Sequence, residues 1–402
     1  MRPITVIGVN ATGSVSEKAN AILRNADHVF ASRRLSKLFA DKRFTKWPKP
    51  FSKGVEQIGT LRAEGASVVV LATGDPLHYG VGGTLARTLG VDAVRCEPQP
   101  SAFSLAAARM GWPLEDCACV SLHGSGSERS VAVLERYVAP RRRIIALNRD
   151  GRTPAIVAQW LRARGFGESM LTVLEHLGAP DERRRSWTAT SDAPSDVADL
   201  STLAIECEGD EGEWNGALPG LPDDAFANDS QLTKSDVRAL TVSALKPFAG
   251  GMLWDVGAGC GSVAIEWLRS ANSAHAFAIE AKPARCDLIR TNIERFGIGT
   301  LNVIEGEAPR ALQDLPRPDA VFVGGGVSDP TVTESAFAAL RVGGVFAANA
   351  VTLEGEAALG ELHARVGGKL RRISISHAEA IGGFRGWRSA MPVTMLTVRK
   401  TR

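Results

Sequence analysis

The sequence predicts an α/β protein of two domains, and three observations carry that prediction. First, 402 residues exceed the roughly 250 to 300 at which a single hydrophobic core stops growing. Second, from Pro3 to about Glu206 short β-branched runs alternate with helical patterns. Third, an acidic, Gly- and Pro-containing stretch without period, 206–228, precedes a second regular series of strands. The expected division is a first domain over 1–206, a linker over 207–228 and a second domain over 229–402.

In the first domain Val68 to Ala72 and Arg143 to Leu147 read as buried parallel strands, Val81 to Leu89 and Thr153 to Arg164 as helices. A strand restarts after the Pro- and Arg-rich break near Pro140, so this domain reads as two α/β lobes with a cleft between them. In the second, Thr233 to Leu245 is a helix pattern with Thr233 or Ser235 as its N-cap. Met252 to Val256, Ala276 to Glu280, Asn302 to Glu305, Ala320 to Val323 and Gly344 to Asn349 follow as strands, with helices between them.

Composition narrows the function classes. With 44% hydrophobic and 23% charged residues this is an ordinary globular composition, and a formal charge of +3 gives no argument for nucleic acid. Apolar runs such as Ser67 to Thr73 fall far short of the ~20 residues that span a bilayer, so no membrane partner is expected. The opening MRPITVIGVN lacks the features of a secretion signal, and a cytoplasmic location is expected. Six scattered cysteines, with Cys117 and Cys119 the one close pair, read as structural thiols and no metal site. Arginine clusters at 141–143, 183–185 and 371–372 read as solvated faces; the alternative is contact with a polyanionic small molecule.

The most informative motif is Asp255-Val256-Gly257-Ala258-Gly259-Cys260-Gly261, which closes an apolar strand and opens the helix pattern Ser262 to Arg269. Glycines there let the backbone turn tightly and approach a ligand at the carboxyl edge of a parallel sheet. Glu280 ends the next strand, where an acid can accept from both hydroxyls of a ribose. A dinucleotide fingerprint needs Gly-x-Gly-x-x-Gly, whereas here position 262 is Ser, and Gly-x-Gly-x-Gly favours S-adenosyl-L-methionine. Glu305 to Ala308 would lie along the adenine, and Gly324-Gly325-Gly326 would rim the substrate side.

From Gly220-Leu221-Pro222-Asp223-Asp224-Ala225-Phe226 through Leu232-Thr233-Lys234-Ser235, the glycine loop, Gly306-Glu307-Ala308 and Val321-Phe322-Val323-Gly324, this region resembles the class I methyltransferases that decarboxylate a corrin precursor. The resemblance implies a doubly wound, Rossmann-like domain with donor contacts at Thr233, Asp255, Gly257, Ala258, Gly259, Cys260, Gly261, Glu280 and Ala308. Gln231, Cys260, Glu280 and Glu307 depart from that family's usual residues.

In the first half Gly8 to Gly13 and Gly74-Asp75-Pro76 are turns by physics alone, and Glu97 to Ala108 and Val120 to Gly124 follow later in the chain. Their order is similar to that of the two-lobed tetrapyrrole (class III) methyltransferases. That likeness implies a second donor site at Gly74, Asp75, Ser101 and His123, with His123 a base or a hydrogen-bonding wall. Asn10-Ala11-Thr12 replaces the common Gly-Pro-Gly form of the first loop.

Together the halves resemble the two-headed enzymes that methylate C5 and C15 of precorrin-6Y and remove the C12 acetate as carbon dioxide. The resemblance implies two S-adenosyl-L-methionine sites, a tetrapyrrole or corrin substrate and self-association into a homo-oligomer. Asn349, His377 and Glu379, read as strand-end positions, are candidates to assist decarboxylation, and Arg385 and Arg388 to pair with propionates. A methyltransferase acting on RNA or another small molecule, or a non-catalytic adenosine-binding scaffold, would share the glycine loop.

Overall fold

The computed structural model describes residues 2–39, 44–123, 131–209 and 216–401. Gly124 and linker residues 210–215 therefore lie outside the described residues. The chain divides into two compact units, Met1–Ser127 with Val138–Trp214, and Glu128–Tyr137 with Asn215–Arg402.

The first unit holds two sheets. Strands β1 (Ile4–Val9), β2 (His28–Ala31), β3 (Phe44–Lys46), β4 (Val68–Thr73) and β5 (Val94–Glu97) form an all-parallel sheet in the order β3-β2-β4-β1-β5. Alternate side chains enter opposite cores: Ile7, Val9, Val69 and Leu71 on one face, Val6, Val68 and Val70 on the other. Burial on both faces explains why β4 reads as an unbroken apolar run. Strands β6 (Cys117–Ser121), β7 (Arg143–Leu147), β8 (Met170–Glu175), β9 (Arg183–Thr188) and β10 (Ser201–Glu206) form the second sheet, β6-β7-β10-β8-β9. Only its β6-β7 pair is parallel. Helix Ala102–Met110 packs against this sheet; Ser101 caps it by accepting from the Ser104 amide, and Gly111 in the left-handed region ends it.

The second unit is a seven-stranded sheet, β13-β12-β11-β14-β15-β19-β16, built from β11 (Met252–Val256), β12 (His275–Glu280), β13 (Leu301–Glu305), β14 (Ala320–Val323), β15 (Val345–Ala350), β16 (Lys369–Ile373) and β19 (Val393–Arg399). β11 to β15 are parallel, and β19 runs antiparallel to both β15 and β16. The strand order reverses at β11, so the loops after β11 and β14 open a crevice at the carboxyl edge. Helix Ser262–Arg269 buries all eight of its residues against one face, with Trp267 wholly enclosed. Covering a side chain of that size contributes on the order of 2–3 kcal/mol. Strands β17 (Ser376–Ile381) and β18 (Phe384–Ser389) form a separate, almost wholly exposed hairpin.

Candidate active sites

In the second unit the glycine loop turns directly off β11. Gly257, Gly259 and Gly261 all have positive φ, near +68°, +61° and +78°. At Gly257 a side chain is barred twice, because a Cβ would also meet Gly325 Cα at 2.5 Å. The loop is stitched to its neighbours by Gly257 N–H to Ile279 O at 2.9 Å and Gly324 N–H to Val256 O at 2.9 Å. Glu280, buried at the end of β12, accepts from Gly259 N–H at 2.8 Å and Lys282 N–H at 3.0 Å. Each carboxylate oxygen keeps lone-pair capacity for a further donor.

Asp255 is enclosed. Its Oδ2 accepts from Ala264 N–H at 3.0 Å, while Oδ1 has no partner among the described residues. Burial, with the Glu280 charge adding to it, pushes the Asp255 carboxyl up to about 7. A buried oxygen without a donor, beside a glycine cradle, suits a cationic ligand such as a sulfonium-bearing nucleoside. Cys260 turns its thiol into the core and offers the loop only its backbone. Ala258 and Ala308 are partly buried against the two cores flanking the sheet.

The segment ahead of the loop is held by charges that periodicity did not reveal. Arg238 and Glu266 are both fully buried and paired at 2.7 Å. Glu266 also accepts from Gly220 N–H at 2.8 Å and Leu221 N–H at 3.0 Å. Arg238 donates to Leu221 O, to Thr233 O at 2.6 Å and to Asp223 Oδ1 at 3.1 Å. Asn292 links Ala227, through both its amide and carbonyl, to Cys260 O at 3.0 Å. The chain before helix Ser235–Leu245 is thus clamped over the loop, with Gln231 O 3.4 Å from where a Gly259 Cβ would stand. This corrects the expected cap: Lys234 occupies that position without a side-chain bond, and Thr233 serves through its carbonyl.

The first unit encloses a cavity of about 870 Å³ between its two sheets, lined by Gly74, Asp75, Ser101 and His123 together. Gly74 has φ near +62°, and a Cβ there would stand 2.9 Å from Pro100 O. The adjoining Gly8 packs so closely that a Cβ would meet Gly74 O at 2.1 Å. Asp75 Oδ1 accepts from Leu77 N–H at 2.8 Å, shaping the turn. Asn10 organises the departing first loop, accepting from Thr12 N–H at 3.1 Å and Ser14 N–H at 2.7 Å. Desolvation against the cavity wall, followed by the Arg149 charge, lowers the His123 pKa, so its imidazole is neutral at pH 7. His78 stacks on Phe103 at 4.3 Å, and Tyr79 O–H reaches from the first sheet's loop to Cys119 O at 3.1 Å.

The candidates for decarboxylation do not converge. His377 and Glu379 lie within β17 of the exposed hairpin and not at a strand end. His377 is 3.6 Å from Asp236, and Glu379 pairs with Arg388 at 3.0 Å, all four side chains being solvated. Arg385 is exposed on the same hairpin. Asn349, on β15, is held by its Nδ2 to Thr241 Oγ1 at 2.8 Å and keeps an unpartnered, buried Oδ1 among the described residues.

Comparison with known proteins decides what these two constructions have in common. The family profile for tetrapyrrole (corrin/porphyrin) methylases matches residues 5–191, and that for the precorrin methyltransferase domain matches 224–400. A Sinorhizobium protein named precorrin-6Y C(5,15)-methyltransferase (decarboxylating) is 43% identical over 397 residues, 97% of this chain and 95% of its own. The chain belongs to this family. A Mycobacterium tuberculosis member of the same name is 40% identical over 408 residues, 99% of this chain and 100% of its own. A Pyrobaculum aerophilum protein, named probable cobalt-precorrin-6B C(15)-methyltransferase (decarboxylating), is 34% identical over 191 residues, 46% of this chain and 97% of its own. The family is one of methyltransferases, which draw the methyl group from S-adenosyl-L-methionine. No helix among the described residues is long and apolar enough to cross a membrane.

Proposed function

We propose that the chain methylates precorrin-6Y at C5 in its first unit and at C15 in its second, where the C12 acetate leaves as carbon dioxide, giving precorrin-8 for cobalamin synthesis. The observation that carries this reading is the presence on one chain of two unlike constructions, the glycine loop with Glu280 and the cavity walled by Gly74, Asp75, Ser101 and His123. The names of relatives aligned over nearly the whole chain support it.

On this reading each unit holds one S-adenosyl-L-methionine. Gly74, Asp75, Ser101 and His123 form the first site; Thr233, Asp255, Gly257, Gly259, Gly261, Glu280 and Ala308 form the second, with Ala258 and Cys260 acting through the loop backbone. When bound, the donor supplies an electrophilic methyl group for in-line displacement. The protein's part is to align the ring carbon and to exclude water. In the first unit Leu71, Phe103, Leu147 and Leu174 give the cavity its apolar wall, and neutral His123 adds a hydrogen-bonding edge. In the second, Asp255, whose carboxyl burial raises to about 7, ionises more readily beside a bound positive charge, and its unpartnered Oδ1 is available to it. Loss of carbon dioxide leaves an electron pair in the conjugated ring, where a proton replaces the carboxylate; apolar surroundings raise the energy of the departing anion.

Incubation of the full chain with S-adenosyl-L-methionine and precorrin-6Y, read by mass spectrometry, tests this. The expected product has gained two methyl groups and lost one carbon dioxide. Asp75→Ala is expected to remove the C5 step, and Asp255→Ala the C15 step. A macrocycle left unchanged while the donor binds would refute the reading.

A further inference from the structure

We propose that Arg34, backed by Thr73, receives a side-chain carboxylate of the macrocycle in the first unit's cavity and so sets which edge of the ring faces the methyl donor. The proposal rests on the tetrapyrrole reading above, since that ring carries acetate and propionate arms.

Arg34 lies in the short helix Arg33–Ser36 that follows β2, and Ser32 fixes its start by accepting from Leu35 N–H at 3.3 Å. Its guanidinium donates to Thr73 Oγ1, at the end of the neighbouring strand β4, and both residues line the cavity. One of five N–H groups is thereby used and the fork is oriented, leaving the others for a planar anion. Among the described residues Arg34 forms no ion pair. The two cavity-lining acids are engaged elsewhere, Asp75 with the Leu77 amide at 2.8 Å and Asp199 with the Gly151 amide at 3.0 Å. Arg34 remains exposed to solvent at the cavity, and the partial desolvation of its guanidinium lowers its pKa with no carboxylate to offset it. A partly desolvated, fixed cation without a counter-charge is a receptor for an anion, and a guanidinium meets a carboxylate in a bidentate fork.

The competing occupant is the donor's own carboxylate, because Thr73, which Arg34 bonds, directly precedes Gly74 of the proposed donor site. In the order β3-β2-β4-β1-β5, Arg34 follows β2, Gly74 and Asp75 follow the adjacent β4, and Ser101 follows β5. Three strand spacings, about 14 Å, separate β2 from β5, so Arg34 stands at the far side of the cavity from Ser101 and donor affinity tells the two occupants apart. Beside Arg34 the Trp47 and Phe51 rings, stacked at 4.6 Å, also line the cavity and give a flat apolar surface on the same side. An anionic arm at Arg34 with the ring plane toward these aromatics uses both features.

The test measures C5 methylation by the full chain across a range of macrocycle concentrations, with donor affinity by calorimetry, for wild type, Arg34→Gln and Arg34→Lys. The glutamine variant is expected to raise KM for the macrocycle about tenfold or more, with kcat less affected and the donor Kd within about twofold. Lysine, which keeps the charge without the fork, is expected to restore part of the loss. An unchanged KM in Arg34→Gln would overturn the proposal while leaving the function intact. A tenfold weaker donor Kd would overturn it by assigning Arg34 to the donor's carboxylate. A wild-type chain that binds the donor but transfers no methyl would remove the functional reading and this proposal with it.

Discussion

The two units contain buried carboxylates of opposite character. Beside the first cavity Glu175 is itself fully buried, but its partners reach water: the Arg183 side chain is 46% exposed and that of Arg185 25%. Burial alone would raise the Glu175 pKa; bonds from Arg183, the Ala198 amide and Arg185 outweigh it and hold the acid below its ordinary value. In the second unit both members of the Arg238–Glu266 pair are fully buried, and Asp255 has no ion-pair partner among the described residues. A carboxylate with hydrated partners is stably ionised and replaceable. A wholly buried pair is not replaceable one member at a time, because removing one strands the other in a medium that cannot solvate it.

The sharpest way to break the comparison is Arg238→Ala. It leaves Glu266 buried and unpaired and frees the clamp at Leu221 and Thr233. A loss of about 3–5 kcal/mol is expected, seen in denaturant unfolding of the second unit, together with loss of the C15 step. Glu266→Gln should recover part of that stability in the double variant.

Asp255→Asn comes next, through pH. The native carboxyl keeps its proton to about 7, whereas in the unfolded chain it titrates near 3.8. Across that window the native state binds more protons, so ionisation costs stability as pH rises, up to about 4 kcal/mol above pH 7. The asparagine variant keeps an acceptor for Ala264 N–H and removes the penalty. It is expected to melt higher than wild type at pH 8, with little difference at pH 4, and to bind the donor more weakly in the second unit.

The smallest effect is expected at Arg183→Ala, about 1 kcal/mol or less, because Arg185 and the Ala198 amide still serve Glu175 and Arg183 is half solvated. Glu175 itself, with a depressed pKa, contributes stability above its unfolded value near 4.5 that is lost as pH falls through the lower native value. Acid melting should therefore shift slightly upward in pH for the variant. A loss as large as that of Arg238→Ala would contradict the contrast between the two networks.

Much of the second unit is legible in the chain because its signals are local. β11, the three glycines and helix Ser262–Arg269 follow one another without a break, and each glycine proves to have positive φ. The clamp is not legible: nothing in the sequence pairs Arg238 with Glu266, and their partnership spans 28 residues. The available clue was Glu266 in the middle of the largely apolar run Val263 to Leu268. His377 and Glu379 were misplaced because alternation marks a strand without saying which sheet takes it; β19 pairs with β15 and β16 and leaves β17-β18 outside. In the first unit Gly74, Ser101 and His123 reach one cavity from separate strand ends, which no spacing rule connects. Nothing in the sequence singles out Arg34; only the fold places Thr73 beside it.

The account's central claim is two donor sites of different construction on one chain, and calorimetric titration of the full chain with S-adenosyl-L-methionine tests it most directly. Two equivalents per chain are predicted. Gly259→Val, which adds strain at φ +61° and fills the space below Gln231, should remove one, and Gly74→Val, which collides with Pro100 O, the other. A single equivalent in the wild type, or two that survive either substitution, would contradict it.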